Sequence, residues 1–229
     1  MFSKVFLAQT SGEIKKQLPE KLAYMALHFS PYSTGLSNFP LDLPKNSILL
    51  LDDSMPPENH DPQLVSEQLV QLVNQFSPAG VMLDFQRPVT EKLKAMASCI
   101  AKALPCPVGV TESYARDLGC PVFLSPLPAN KGLQDYLKPW LNQGVYLEIA
   151  PDCIEITVTE KGSKIRQIYP VQNLPLANKK LHCHYQVKVF PDKAVFTICR
   201  YKEDLAALVQ EAESLGVLGC VGLYEELQY

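Results

Sequence analysis

Short, almost wholly apolar runs alternate with amphipathic stretches along this chain, and that alternation is the strongest constraint on its fold. The runs are KVFLA (4–8), AYMALHF (23–29), SILLLDD (47–53), GVMLDFQ (80–86), PVGVTE (107–112), PVFLSP (121–126), GVYLEIA (144–150) and GCVGLY (219–224). A strand that faces water on one side alternates apolar with polar residues; strands apolar throughout are buried on both faces, as in parallel sheets covered by helices. Helical periodicity fills several of the gaps. Leu64, Val65, Leu69, Leu72, Val73 and Phe76 recur at three and four behind Asp61-Pro62, and Leu93, Met96, Ile100 and Ala103 do so behind the N-cap candidate Thr90. Leu133, Tyr136, Leu137, Trp140 and Leu141 predict a third helix, and Leu205, Leu208, Val209, Ala212 and Leu215 a fourth, stopped by Gly216. SYARDLGC, between the fifth and sixth runs, leaves room for one or two turns.

One region breaks the rhythm. CIEITVTEKGSKIRQIY and HYQVKVFPDKAVFTICR alternate in polarity and turn at Lys161-Gly162 and Pro191-Asp192, which predicts antiparallel hairpins. The expected fold is therefore α/β: a compact (β/α)₈ TIM-type barrel forming one domain over 1–229, with an antiparallel β insertion at about 153–200 between the seventh and eighth strands. The short gap between the first two runs also allows them to pair antiparallel, and an open doubly wound sheet is the competing architecture.

Composition narrows the function. In 229 residues, 47% are hydrophobic and 20% charged, which supplies a core and excludes a disordered chain. Twenty-four acids against 21 bases give a net charge of −3 with no basic block, so nucleic acid is not an expected partner. No run reaches the ~20 apolar residues of a membrane span, and none is expected. MFSKVFLAQTSGEIKKQ is too short in apolar residues for a signal peptide. The seven cysteines (99, 106, 120, 153, 183, 199, 220) form no C-x-x-C pair and several sit in apolar runs. Buried free thiols in a cytoplasmic protein are the expectation.

In a barrel of this type chemistry is built at the C-terminal ends of the strands. Those ends carry Asp52, Asp53, Asp84, Gln86, Glu112, Glu148, Tyr224 and Glu225, a set of carboxylates and an aromatic suited to a polyol or sugar. The plainer role for each is to cap a helix or bind loop amides. Asp84 and Gln86, two apart, share a face ~7 Å apart along the strand, with Met82 and Gly80; Val81, Leu83 and Phe85 face the helices.

These residues bring the chain close to a known family. AGVMLDFQRP (79–88) resembles the fourth-strand motif of glycoside hydrolase family 18, the chitinase and spore-cortex-lysin group, D-G-x-D-x-D-x-E. Gly80, Asp84, Phe85 and Pro88 match. RYKEDLAALVQEAESLGVLGCVGLYEEL is similar to the family's closing helix and strand, which end G-G-V-M-x-W-E; Tyr224 stands at the tryptophan and Glu225 follows it. The hairpin just upstream also resembles the spore-lysin branch. The resemblance implies that Asp84 orients a substrate acetamido group, that position 86 is the acid and that Tyr224 floors the sugar subsite; by their place at the strand ends Glu225, Glu112, Glu148 and Asp53 are expected to line the same site.

The departures shape the functional expectation. Position 86 is Gln, which has no acidic proton to give near neutral pH, and general acid catalysis contributes typically 10²–10⁴-fold. Ala79 and Met82 replace the first two motif aspartates, and PVFLSPLP lacks the family's sixth-strand tyrosine-aspartate. A degenerate, catalytically silent barrel with an N-acetyl-sugar cleft is expected; the alternatives are an active glycosidase using Glu112, Glu148 or Glu225, and an interaction protein with a vestigial cleft. No nucleotide loop is present and no cofactor is expected. His182 and His184 share a strand face without a third ligand, so a solvated hairpin is expected over a metal site. His28 reads as core, His60 as a loop or cap residue, and the stripe Tyr136, Leu137, Trp140 as core.

Overall fold

Residues 4–10 and 19–227 are described by a computed structural model of the chain. The first strands are β1 (Val5–Gln9), β2 (Leu22–Phe29), the two-residue β3 (Leu36–Ser37) and β4 (Ile48–Asp52). Helix α1 (Pro62–Phe76), β5 (Gly80–Asp84), α2 (Glu91–Ala103), β6 (Val108–Thr111), α3 (Glu112–Leu118), β7 (Val122–Leu124), α4 (Leu133–Leu137) and β8 (Val145–Glu148) follow. An antiparallel block then intervenes: β9 (Cys153–Thr159), β10 (Gly162–Gln167), β11 (Leu176–Asn178), β12 (Cys183–Val189) and β13 (Lys193–Cys199). Helix α5 (Lys202–Ser214), β14 (Gly219–Leu223) and α6 (Tyr224–Leu227) end the described chain.

The eight expected strands close into a parallel barrel. β1 pairs in parallel with β14, Phe6 beside Val221, and in parallel with β2, Ala8 beside Ala23. That double pairing rules out the open sheet and the antiparallel start. Residues 11–18 lie outside the described residues. The insertion is a five-stranded antiparallel sheet, ordered β10-β9-β13-β12-β11, between the seventh and eighth barrel strands.

Alternation along each barrel strand divides its side chains between two apolar layers. Phe6, Ile48, Leu50, Met82, Phe123 and Tyr146 fill the barrel interior. Glycines make room for these large groups: a Cβ on Gly109 would lie 2.3 Å from Met82 Sδ, and one on Gly219 2.9 Å from Phe6 Cε2. The other face of the strands, with Leu49, Leu51, Val81, Leu83 and Leu147, packs on Val65 and Leu69 of α1, Leu93 and Met96 of α2, and Leu205 and Leu208 of α5.

The helices begin where their caps predict. Asp61 accepts from Gln63 N at 3.0 Å, and Thr90 Oγ1 from Leu93 N at 3.2 Å. After α5 the chain turns at Gly216 with φ +85°. The third helix is shorter than its periodicity predicts, ending at Leu137, because Pro139 has no N–H to carry the ladder on. Leu137 and Trp140 are buried all the same.

Two expectations about the insertion need correction. Cys153 and Cys199 are not free thiols but a disulfide, with Cα atoms 4.2 Å apart. They stand directly opposite one another on β9 and β13, close enough to bond, yet 46 residues apart in sequence, where no spacing motif reveals them. Among the described residues Cys99, Cys106, Cys120, Cys183 and Cys220 are free. His182 and His184 are also not merely solvated. His182 Nε2 lies 2.8 Å from Glu211 Oε2 and His184 Nδ1 lies 2.8 Å from Asp204 Oδ2, so each imidazole meets one carboxylate of α5. His60 is buried with Nε2 2.9 Å from Ser30 O, while His28 is only half-buried. Among the described residues no helix is long and apolar enough to cross a membrane.

Candidate functional site

At the C-terminal rim, register places carboxylates side by side. Asp52 and Asp84 end adjacent strands as direct partners, and Glu148 ends β8 opposite Val221. Each is two residues beyond an interior side chain (Leu50, Met82 and Tyr146), so the strand period aims all three into the barrel mouth. Asp84 is half-buried, and Gln86 Nε2 donates to its Oδ1. Burial pushes the Asp84 carboxyl above the usual range, the Gln86 amide pulls it back, and the charges on Asp52 and Asp53 raise it further.

Asp53, expected at a sugar site, does something else. It is buried, and its two oxygens accept the backbone N–H groups of Gln86 and Arg87, each at 2.9 Å. Arg87 Nε donates back to Asp53 O at 2.7 Å. Asp53 therefore fixes the loop that carries Gln86, with both of its oxygens engaged by backbone N–H groups. Asp52 binds its own loop, accepting from Ser54 N at 2.9 Å.

Glu148 is different in kind. It is half-buried, and its side chain makes no hydrogen bond among the described residues. Burial, then the charges on Asp84, Asp152 and Glu226, push its carboxyl up to about 7. A group that takes and gives a proton near neutral pH thus faces the mouth from the seventh strand. Tyr136 joins it from α4: its hydroxyl donates to Ser125 O at 3.0 Å, and burial with the charges on Glu112 and Glu148 pushes its pKa up to about 12. Glu112, at the start of α3, is exposed.

Tyr224 and Glu225 open α6, directly after β14. With Asp152, Arg200, Tyr201 and Glu226 they line a cavity of about 1800 Å³ bordered by β1, residues 19–21, the insertion, α5 and α6. Neither Asp84, Gln86 nor Glu148 borders it. Glu226 and Asp152 link the two regions electrostatically, since both act on Glu148.

Sequence reasoning missed four of these residues. Tyr136 was hidden in an apolar helical stripe; its place on the helix that follows the sixth barrel strand was the available clue. Asp152 lies just beyond the seventh apolar run, and Glu226 one residue beyond Glu225. Arg200 follows a strand of alternating polarity and carried no signal at all. Among the described residues no cluster of His, Cys, Asp or Glu could hold a metal ion.

The architecture has counterparts among solved structures. A family 18 chitinase from Cycas revoluta, in complex with allosamidin, superposes over 98% of this chain and 96% of its own, with TM-score 0.62 and 11% identity. The likeness is one of fold. A family 18 N-acetylglucosaminidase from Paenibacillus barengoltzii gives TM-score 0.61 at 9% identity, covering 98% of this chain and 97% of its own. The spore cortex-lytic enzyme SleL of Bacillus cereus gives 0.58 at 8%, covering 99% and 71%. By sequence no described family and no curated protein matches.

Proposed function

We propose that the barrel mouth is a recognition site for N-acetyl sugars whose hydrolytic power is reduced or absent. The observation that carries this reading is the Gln86 amide at the position where the resembled motif has its acid, hydrogen-bonded to Asp84 at the end of the same strand. A primary amide has no proton to release to a departing sugar oxygen, but its carbonyl and its second N–H remain able to hold a hydroxyl or a linking oxygen. The free oxygen of Asp84 would accept an acetamido N–H. The fold supports the reading, because the chitinase of the same architecture takes (GlcNAc)₃ in its structure. Tyr224, expected under the sugar ring, would serve a neighbouring subsite, since it lines the adjoining cavity.

Titration of N-acetylglucosamine oligomers, followed by NMR shifts of the amides near 84–87, tests this reading. Saturable millimolar binding that weakens at least tenfold in Asp84→Ala is expected. No response at millimolar sugar would leave the cleft vestigial and end the proposal.

A second reading rests on Glu148, whose carboxyl, pushed up to about 7, still holds a share of its proton near neutral pH. There it would give its proton to the leaving glycosidic oxygen as the C–O bond breaks, while water forms the new bond at the anomeric carbon and passes a proton to Asp84. Turnover lost in Glu148→Gln but kept in Gln86→Ala would favour this enzyme over the silent barrel.

A further inference from the structure

Alternating polarity along a strand marks a sheet with one face covered and one in water. The inserted sheet has that division but lacks the cover. Directly opposed residues of antiparallel strands share a face, so the register sorts its side chains. Ile165, Ile156, Phe196 and Val187 form one row across β10, β9, β13 and β12. Ile154, Ile198, Tyr185 and Leu176 form the next, across β9, β13, β12 and β11. Val158, Ala194 and Val189 form the row nearest the hairpin ends. Extended onto the edge strand β10, the last two rows add Gln167 and Ser163, and no charged residue stands in any of the three. The opposite face is built otherwise. There Arg166, Glu155, Thr197 and Gln186 lie in one row, and Lys164, Thr157, Val195 and Lys188 in another.

Among the described residues, no member of the three apolar rows belongs to an apolar cluster of the protein or packs against one. Ile165 is 66% exposed and Val189 80%, while Ile156, Phe196 and Ile198 are half-buried. A continuous apolar surface of this kind marks an interaction site. Five strands at ~4.8 Å spacing, with a mean of about six residues at ~3.4 Å each, give roughly 500 Å² of face. Mated with an equal face it buries about 1,000 Å² in all, the lower bound of a specific protein–protein interface.

The charge pattern selects the partner. An uncharged face sets no like charges against its own image, so two copies meet without repulsion and without an unpaired buried charge. The hairpin ends that border it carry Glu160, Lys161, Asp192 and Lys193, two charges of each sign, which also tolerate a copy of themselves. An anionic membrane would call for a basic collar and interfacial tryptophan, but the single tryptophan, Trp140, is buried in the helical layer. A sheet of aliphatic side chains is matched in shape by a second such sheet, stacked ~10 Å away with side chains interdigitated.

We propose that the apolar face of the insertion is a self-association surface, on which a second copy of this chain docks about a two-fold axis to form a sheet-on-sheet dimer. At this area the dimer is weak, with a dissociation constant on the order of 10 μM. Nothing in this pairing depends on what the barrel mouth binds.

Sedimentation velocity of the full chain, disulfide intact, at concentrations well below and well above that value tests the pairing, with amide shifts followed across the same dilution series. A monomer–dimer equilibrium unweakened by high salt is expected, with shifts at 154–158, 185–189 and 194–198. Val187→Glu and Ile165→Glu, both at exposed positions, should each weaken it at least tenfold. Lys164→Glu, on the opposite face, should leave it unchanged. Should a glutamate variant fail to fold, the wild-type dilution shifts decide, and shifts confined to the barrel overturn the proposal. A chain that stays monomeric throughout, a dimer indifferent to both glutamates, or one dissolved by salt overturns it as well. So does a monomer that cosediments with phosphatidylcholine vesicles, which would give the face to lipid.

Discussion

The barrel and the inserted sheet are held by different physics. Every barrel strand is apolar on both faces, buried inward against Met82 and Phe123 and outward against α1, α2 and α5. The insertion has no comparable core: its own buried cluster is Cys153, Leu174 and Cys199, and β10 is exposed along its whole length. The disulfide closes its root by joining β9 to β13, and the insertion is attached by points instead, through the His182–Glu211 and His184–Asp204 contacts to α5 and through Tyr201, whose hydroxyl donates to Val171 O at 2.8 Å. Burial distributes stability over many atoms, whereas point contacts concentrate it in a few bonds. The insertion is therefore the part that solution conditions can loosen by themselves.

The largest effect should come from the barrel. Leu83→Ala, at a fully buried site between β5 and the helices, is expected to cost about 2–5 kcal/mol and to lower the unfolding midpoint of barrel and insertion together. Chemical denaturation monitored by far-UV CD and by hydrogen exchange on β4–β6 checks it. Protection lost only in the insertion would contradict a barrel that carries the whole.

Breaking the disulfide, by reduction or by Cys153→Ser with Cys199→Ser, should cost about 2–4 kcal/mol, since it closes a loop of 46 residues. The loss should be local. Amides of β9 and β13 are expected to exchange faster while β4–β6 keep their protection. Equal losses in both regions would merge the two into one cooperative unit.

This contrast also explains how much the sequence disclosed. Burial on two faces leaves a compositional trace, so all eight barrel strands, the insertion between the seventh and eighth, and the inward face of Gly80, Met82 and Asp84 were legible. Point contacts leave almost none. Cys153 and Cys199 meet only because β9 and β13 pair, and the histidines meet α5 only after the insertion folds back on it. The candidate site divides in the same way. Asp84 and Glu148 could be placed by strand parity, but Asp53 looks identical to them in sequence, and only the loop at Gln86–Arg87 turns it into a structural anchor. Arg200 and Tyr136 gain their meaning from tertiary neighbours alone.

A smaller effect lies where the two regions touch. Glu148 belongs to the barrel, yet Asp152 at the root of the insertion and Glu226 of α6 help Asp84 and burial to raise its carboxyl to about 7. Below pH 4.5 folded and unfolded chains both hold this proton. Between about 4.5 and 7 the unfolded chain has released it and the folded chain keeps it, so stability falls as pH rises, and above 7 the penalty is constant. Asp84, Asp152 and Glu226, also raised, push the same way. Glu148→Gln removes its share of the slope, on the order of 1–2 kcal/mol after allowance for solvent screening, and should gain on the wild type from pH 5 to 7.5. Asp152→Asn should lower the Glu148 midpoint seen by NMR; an unmoved midpoint would mean that the mouth does not sense the insertion.

The smallest expected effect concerns a single contact of the insertion. His184 stands with Nδ1 2.8 Å from Asp204 Oδ2, and its ring centroid is 4.9 Å from that of Tyr201. The same carboxylate oxygen accepts Tyr201 N at 3.0 Å at the start of α5. Removing the imidazole leaves Asp204 with that backbone partner, so the helix start survives and the loss is confined to one partly exposed pair. His184→Ala is expected to cost no more than about 1 kcal/mol overall. It should nevertheless raise exchange at Cys183 to Gln186 on β12, while α5 and the barrel stay protected. The double variant with Asp204→Asn isolates the coupling. If Asp204→Asn alone is as harmful with the imidazole absent as with it present, the two side chains do not act on each other, and the insertion is seated on α5 by packing instead of by this contact.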